Sequence, residues 1–157
     1  MNITFRKPNS FAELKTLIDF LWAQNLGYPN YDDWVLRALG ELDDGYKKAI
    51  IAYDDNVIVG SIIFQPHKEL SGIREIKNLR VSPHCRNRRF GSFLLRQCEW
   101  FESQTFHSLL CDFRADQEEV ERLLVDEGFR IVSVRSLYDD RLDKIALRAN
   151  RYKEKKN

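Results

Sequence analysis

Residues Val81 to Leu95 read Val-Ser-Pro-His-Cys-Arg-Asn-Arg-Arg-Phe-Gly-Ser-Phe-Leu-Leu, and they restrict the fold more than any other segment. A strand-like run, Ile73 to Val81, enters this stretch, and an apolar-periodic run starting at Phe90 leaves it. Between them lies a short loop carrying Arg86, Arg88 and Arg89. A strand, a basic turn and a helix N-terminus together suit a diphosphate. Free backbone N–H groups and the positive end of the helix dipole face the anion. Gly91 lets the backbone approach closely, and the guanidinium groups add charge-assisted hydrogen bonds. From these residues alone, an exposed basic turn without a ligand is the other reading.

The 157 residues are the size of one ordinary domain, with 43% hydrophobic and 31% charged residues, a globular composition. Twenty-five basic residues nearly balance 24 acidic ones, so no nucleic-acid or anionic-membrane partner is expected. The cations nevertheless cluster: Arg80, Arg86, Arg88, Arg89 and Arg96 share one window, as suits a local anion site. Cys85, Cys98 and Cys111 have neither disulfide nor zinc-ligand spacing, which points to a reducing cytoplasm. No metal site is expected; His67, His84 and His107 are read as solvated, without a partner at metal spacing. There is no membrane-length apolar run and no signal-peptide core. Residues 1–152 are expected to form the domain, and 153–157 a charged tail.

Ile3 to Arg6 is a short extended segment. Ser10 and Glu13 form a capping box, opening a helix with Phe11, Leu14, Leu17, Ile18, Leu21 and Trp22 on one stripe and Gly27 as its stop. A second helix runs from Asp32 to about Leu42, with Trp34, Val35, Ala38, Leu39 and Leu42 inward. Strands follow at Lys48–Tyr53 and Val57–Gln65, around the turn Asp54-Asp55-Asn56, and then at Ile73–Val81. The next helix spans about Phe90 to Ser103. A strand over His107–Phe113, a short helix over Glu118–Glu127 stopped by Gly128, and strands Phe129–Tyr138 and Lys144–Ala149 complete the chain. The order β-α-α-β-β-β-α-β-α-β-β predicts an α/β fold with a mixed, mostly antiparallel central sheet.

The segment after Ile73–Val81 resembles the acyl-CoA-binding motif of the GNAT superfamily of N-acetyltransferases, Arg/Gln-x-x-Gly-x-Gly/Ala after a strand ending in Val-x-Pro. Val81 and Pro83 match the strand end, Arg86 the first motif residue and Gly91 the last; Ser92, Leu94 and Leu95 resemble the usual helix opening. Arg89 stands where the first glycine is usual, a departure that is tolerated if its backbone is ordinary and its side chain points outward, and the exact path of the loop stays open. The element order is also similar to that of the superfamily from end to end.

The resemblance implies acetyl-CoA as cofactor. It implies contacts from Leu79, Arg80 and Val81 to the pantetheine arm, and a cradle from Arg86, Asn87, Arg88, Arg89, Phe90, Gly91 and Ser92. Gln117 falls where an asparagine often meets the arm. The implied reaction is direct attack by a primary amine of a small molecule, peptide or protein. Such an amine must be neutral to attack, so a base or desolvating pocket is needed. Glu75 matches the position of the glutamate base in histone-acetylating members, against its reading as a paired strand residue. Leu124 sits where many members carry an acidic tyrosine; Tyr138 is the remaining hydroxyl candidate, against a packed strand aromatic. The resemblance puts acceptor specificity in the loop with Tyr28, Tyr31 and Trp34 and in the turn Tyr138-Asp139-Asp140-Arg141, against their plain readings as a helix connection and a tight turn. Homodimers are common in the superfamily, and Trp100 is a candidate contact, against ordinary amphipathic packing. The missing tyrosine keeps open a catalytically weak acyl-CoA-binding or sensing domain, while near-neutral charge argues against an RNA-directed member.

Overall fold

The computed structural model describes residues 1–25, 27–138 and 141–153, leaving aside the side chains of 137 and 138. The elements are β1 (Ile3–Arg6), α1 (Phe11–Trp22), α2 (Tyr31–Asp43), β2 (Lys48–Asp54), β3 (Val57–Pro66), β4 (Ile73–Val81), α3 (Phe90–Trp100), β5 (Ser108–Arg114), α4 (Glu118–Asp126), β6 (Arg130–Tyr138) and β7 (Arg141–Ala149). This is the predicted α/β class. The seven strands form one mixed sheet in the order β1-β2-β3-β4-β5-β7-β6. The chain divides into two compact units, Met1–Gln65 with Asn78–Cys98, and Pro66–Lys77 with Glu99–Asn157.

In the first unit, β1, β2 and β3 run antiparallel, and one side of them carries α1 and α2. The Ser10 side chain caps α1 by accepting the Glu13 N–H at 3.2 Å. Glu13 does not close the box on Ser10; its carboxylate takes the Asn9 N–H and Arg6 instead. Leu14, Leu17, Ile18 and Leu21 sink into the core with Val35, Ile51 and Ile63. Full burial of each such side chain contributes about 1.5–3 kcal/mol. Phe11 and Trp22, expected on this stripe, stay 51% and 40% exposed because they flank the helix ends. Gly27 is not the helix stop: α1 ends at Trp22, and Gly27 turns the connection with φ 84°. Gly60 matters more. A Cβ there would meet Arg80 O at 3.1 Å and Leu94 Cδ1 at 3.2 Å, so glycine allows β3, the end of β4 and α3 to close together.

In the second unit, residues 73–76 of β4 pair in parallel with β5, and β5, β7 and β6 continue antiparallel. β7 starts at Arg141 rather than Lys144, because cross-strand pairing with β6 persists to Tyr138 opposite Arg141. α3 stops at Trp100, short of Ser103, because Glu102 turns left-handed (φ 46°) and starts a separate 3-10 turn over Ser103–Thr105. α4 ends as expected at Gly128 (φ 90°). Its N–H donates to Val125 O at 2.9 Å and that of Phe129 to Leu124 O at 2.9 Å. With Leu124 and Phe129 both buried, this is a Schellman close.

Candidate functional site

After β4 the chain makes a 3-10 turn over Pro83–Cys85, whose Cys85 side chain is fully buried. Ser82 N–H donates to Val59 O at 2.8 Å and Cys85 N–H to Ser82 O at 2.9 Å, fixing where the loop leaves the sheet. The loop then uses two left-handed residues, Asn87 (φ 63°) and Arg89 (φ 66°). The backbone at Arg89 is therefore not the ordinary one under which a non-glycine residue is easily accommodated. A left-handed arginine costs about 1–2 kcal/mol.

Phe93 N–H donates to Arg89 O at 3.0 Å, the first helical bond of α3. The N–H groups of Phe90, Gly91 and Ser92 thus precede the helical ladder and point off its positive end. Arg86, Arg88 and Arg89 are exposed around them. Among the described residues none of the three is ion-paired. Arg86 Nε donates to Val81 O at 3.4 Å, and Arg88 Nη1 donates to the Met1 sulfur at 3.8 Å. Three cations without counter-ions beside open backbone donors fit a diphosphate.

The predicted acceptor residues lie in the same unit. Tyr31 is buried, donates its hydroxyl to Leu21 O at 2.8 Å and stacks on Trp34 at 6.2 Å; Tyr28 and Trp34 are half-buried against the core. Arg80 reaches back from β4 to these rings, 5.8 Å from Tyr28 and 5.7 Å from Tyr31. From the sequence, Arg80 belongs to the cation cluster and to the backbone that the resemblance sets along the arm, with no hint of these rings. Its side-chain partners are some fifty residues away, and no local pattern reveals them.

In the second unit Glu75 is half-buried, with Lys77 Nζ at 3.6 Å and His67 Nε2 at 4.0 Å. His67 is not simply solvated. Its Nδ1 accepts the N–H groups of Glu69 and Leu70 at 3.1 and 3.0 Å, which leaves the ring proton on Nε2, toward Glu75. Asp112 in β5 went unnoticed in the sequence. Burial pushes its carboxyl above the ordinary range; Lys77 opposes this, and Glu75 and Asp143 reinforce it. Gln117 precedes α4, accepting the Glu121 N–H at 3.1 Å on its carbonyl. Leu124 is a core residue, 1% exposed. The side chain of Tyr138, the turn residues 139 and 140 and the tail 154–157 lie outside the described residues. Among the described residues, no His/Cys/Asp/Glu group has the arrangement of a metal site.

The α/β sheet thus carries a strand, a basic left-handed loop and an open helix N-terminus in succession. The acetyltransferase (GNAT) family model matches residues 14–130, and the chain belongs to that family. No curated protein matches the sequence. Among solved structures, a Desulfovibrio desulfuricans protein assigned to the GNAT acetyltransferases is similar at TM-score 0.82 and 15% identity, covering 94% of this chain and 98% of that one. Arabidopsis thaliana NAA60, in complex with a bisubstrate analogue, gives 0.78 and 14% over 94% and 98%. PaiA N-acetyltransferase of Thermoplasma acidophilum, in complex with coenzyme A, gives 0.71 and 17% over 95% and 99%. At these identities the likeness establishes the fold.

Proposed function

We propose that the protein is an acetyl-CoA-dependent N-acetyltransferase that modifies a primary amine of a small molecule, peptide or protein by direct attack. The observation that carries this is the trio Arg86, Arg88 and Arg89, without ion-pair partners among the described residues, around the open N-terminus of α3. These groups hold the diphosphate, and the backbone of Leu79, Arg80 and Val81 lines the arm, with Gln117 contributing its amide. Bound acetyl-CoA supplies a thioester carbonyl that a neutral amine can attack. Glu75, with His67 and Lys77 beside it, accepts the amine proton in this reading. Free cysteines fit a reducing cytoplasm. Trp100, 61% exposed and edge-on to Tyr152 at 5.4 Å, is the proposed homodimer contact.

Thermal unfolding with acetyl-CoA, CoA and adenosine diphosphate titrated separately tests the reading. Stabilisation by the first two, followed by amine-dependent release of CoA, supports it. No stabilisation at about millimolar ligand removes it. A second reading, an acyl-CoA-binding domain with weak catalysis, is favoured by Leu124, which puts a buried hydrocarbon at the family's usual tyrosine position. Binding without CoA release from any amine selects it.

A further inference from the structure

His67 uses its two ring nitrogens in different ways. It opens the loop between β3 and β4, and its backbone N–H donates to Ile73 O at 2.8 Å. That bond sets it across from Ile73, so Glu75, two residues on, is its diagonal neighbour. The far end of the loop is fixed as well. His107 N–H donates to Gly72 O at 2.8 Å, and a Cβ on Gly72 would stand 2.5 Å from His107 Cδ2. A loop tied at both ends leaves His67 little freedom.

Within the loop, His67 Nδ1 accepts two backbone N–H groups, from Glu69 at 3.1 Å and Leu70 at 3.0 Å. Two donors aimed at one nitrogen require it to be bare, so the proton of the neutral ring is on Nε2. Nε2 faces Glu75 Oε2 at 4.0 Å, while Lys77 Nζ stands 3.6 Å from the other oxygen, Oε1. The His67 and Glu75 side chains are only 19% and 14% exposed. The ring thus presents no vacant lone pair to the carboxylate. It can offer Glu75 a hydrogen bond, and it cannot take a proton from it. A loop cap would need only Nδ1; here the second nitrogen is turned to a carboxylate.

We propose that His67 is a positioning residue: its Nε2–H holds Oε2 of Glu75, so that the remaining lone pairs of the carboxylate are aimed at the acceptor amine. This rests on the transferase reading above, in which Glu75 takes the amine proton. The 4.0 Å separation is longer than a hydrogen bond, and catalytic contacts of this kind tighten when substrate is bound.

Two amide substitutions divide the functions of the ring. His67→Asn places an acceptor where Nδ1 was, as in an Asx turn, and is too short to reach Glu75. His67→Gln places an amide N–H where Nε2 was. With saturating acetyl-CoA and an amine that releases CoA, His67→Asn should lower kcat roughly 10-fold at unchanged amine KM, the worth of one hydrogen bond to a charged group. Its melting temperature should match wild type. His67→Gln should recover most of the loss. In a Glu75→Gln background, His67→Asn should change kcat by less than about 2-fold, because a residue acting through Glu75 has nothing left to act on. His67→Ala, taken through the same cycle, serves if His67→Asn melts early. A wild-type kcat in His67→Asn, an equal loss in both amide variants, or a loss as large in the Glu75→Gln background as in wild type overturns the assignment. Each of those outcomes leaves CoA release by the wild type in place. No CoA release from any amine, or a Glu75→Gln rate equal to wild type, instead removes the reading on which the assignment rests.

Discussion

Arg148 grips Glu99 with both terminal nitrogens, Nη1 to Oε2 at 2.8 Å and Nη2 to Oε1 at 2.9 Å, and the Glu99 side chain is completely shielded from water. Arg151 adds its backbone N–H at 2.8 Å and its guanidinium at 2.8 Å to the same carboxylate. Burial pushes the Glu99 carboxyl up, but the hydrogen bonds from Arg148 and Arg151 outweigh it and hold the group below its ordinary 4.5. A depressed folded-state value adds stability above the unfolded one, and that stability is lost as pH falls through the folded value. Glu99→Gln should therefore cost about 3–5 kcal/mol near neutral pH, because Arg148 is left buried and uncompensated. Urea unfolding at neutral pH measures the loss, and it should shrink in acid.

The loop arginines answer to charge alone. Arg86→Ala with Arg88→Ala should weaken acetyl-CoA binding about 10- to 100-fold and leave the ligand-free melting temperature unchanged, since both side chains are exposed. Calorimetric titration at two salt concentrations checks both parts. Unchanged affinity would contradict the cradle.

Arg89 separates conformation from charge. Arg89→Val should destabilise by about 1–2 kcal/mol, because a β-branched residue tolerates φ 66° less well. Arg89→Gly relieves the left-handed strain but loosens the unfolded chain, for a net change below about 1 kcal/mol. Both variants lose a cation, so both should bind acetyl-CoA more weakly. Thermal melts with and without ligand distinguish the effects.

Glu75→Gln should lower the transfer rate at neutral pH by about 10- to 100-fold. Partial recovery is expected at high pH, where the amine loses its proton unaided. A pH–rate profile parallel to wild type would remove Glu75 from the reaction.

Asp112 carries the opposite linkage to Glu99. Burial raises its folded-state value above the ordinary 3.8. A raised value means stability that is present below the unfolded value and lost as pH climbs through the folded one. Asp112→Asn should therefore stabilise the protein by roughly 1 kcal/mol near neutral pH and change little near about pH 3. Melting temperatures at the two pH values decide it.

What the sequence made legible was local. β1 and β4 fall on their predicted residues, Ser10 does cap α1, and the Schellman close at Gly128 follows from one glycine after an apolar helical run. The strand–loop–helix segment was readable because its donors and cations are near neighbours in the chain. The errors came where a residue adopts a backbone its type disfavours, as at Glu102 and Arg89, or where strand pairing overrides a turn-like composition, as at Arg141. Side-chain meetings across long separations were invisible. Gln24 reaches Arg80, Glu99 reaches Arg148, and neither pairing leaves a periodic trace.

Cys85 gives the basic turn a chemical clock. Its thiol is sealed beneath the turn that leads into the arginine loop, so an alkylating reagent can reach it only while that turn is lifted. The rate at which the thiol is consumed in the native protein reports the share of time the turn stands open. A ligand that pins the loop from outside must slow the reaction on the inside, without itself touching the sulfur.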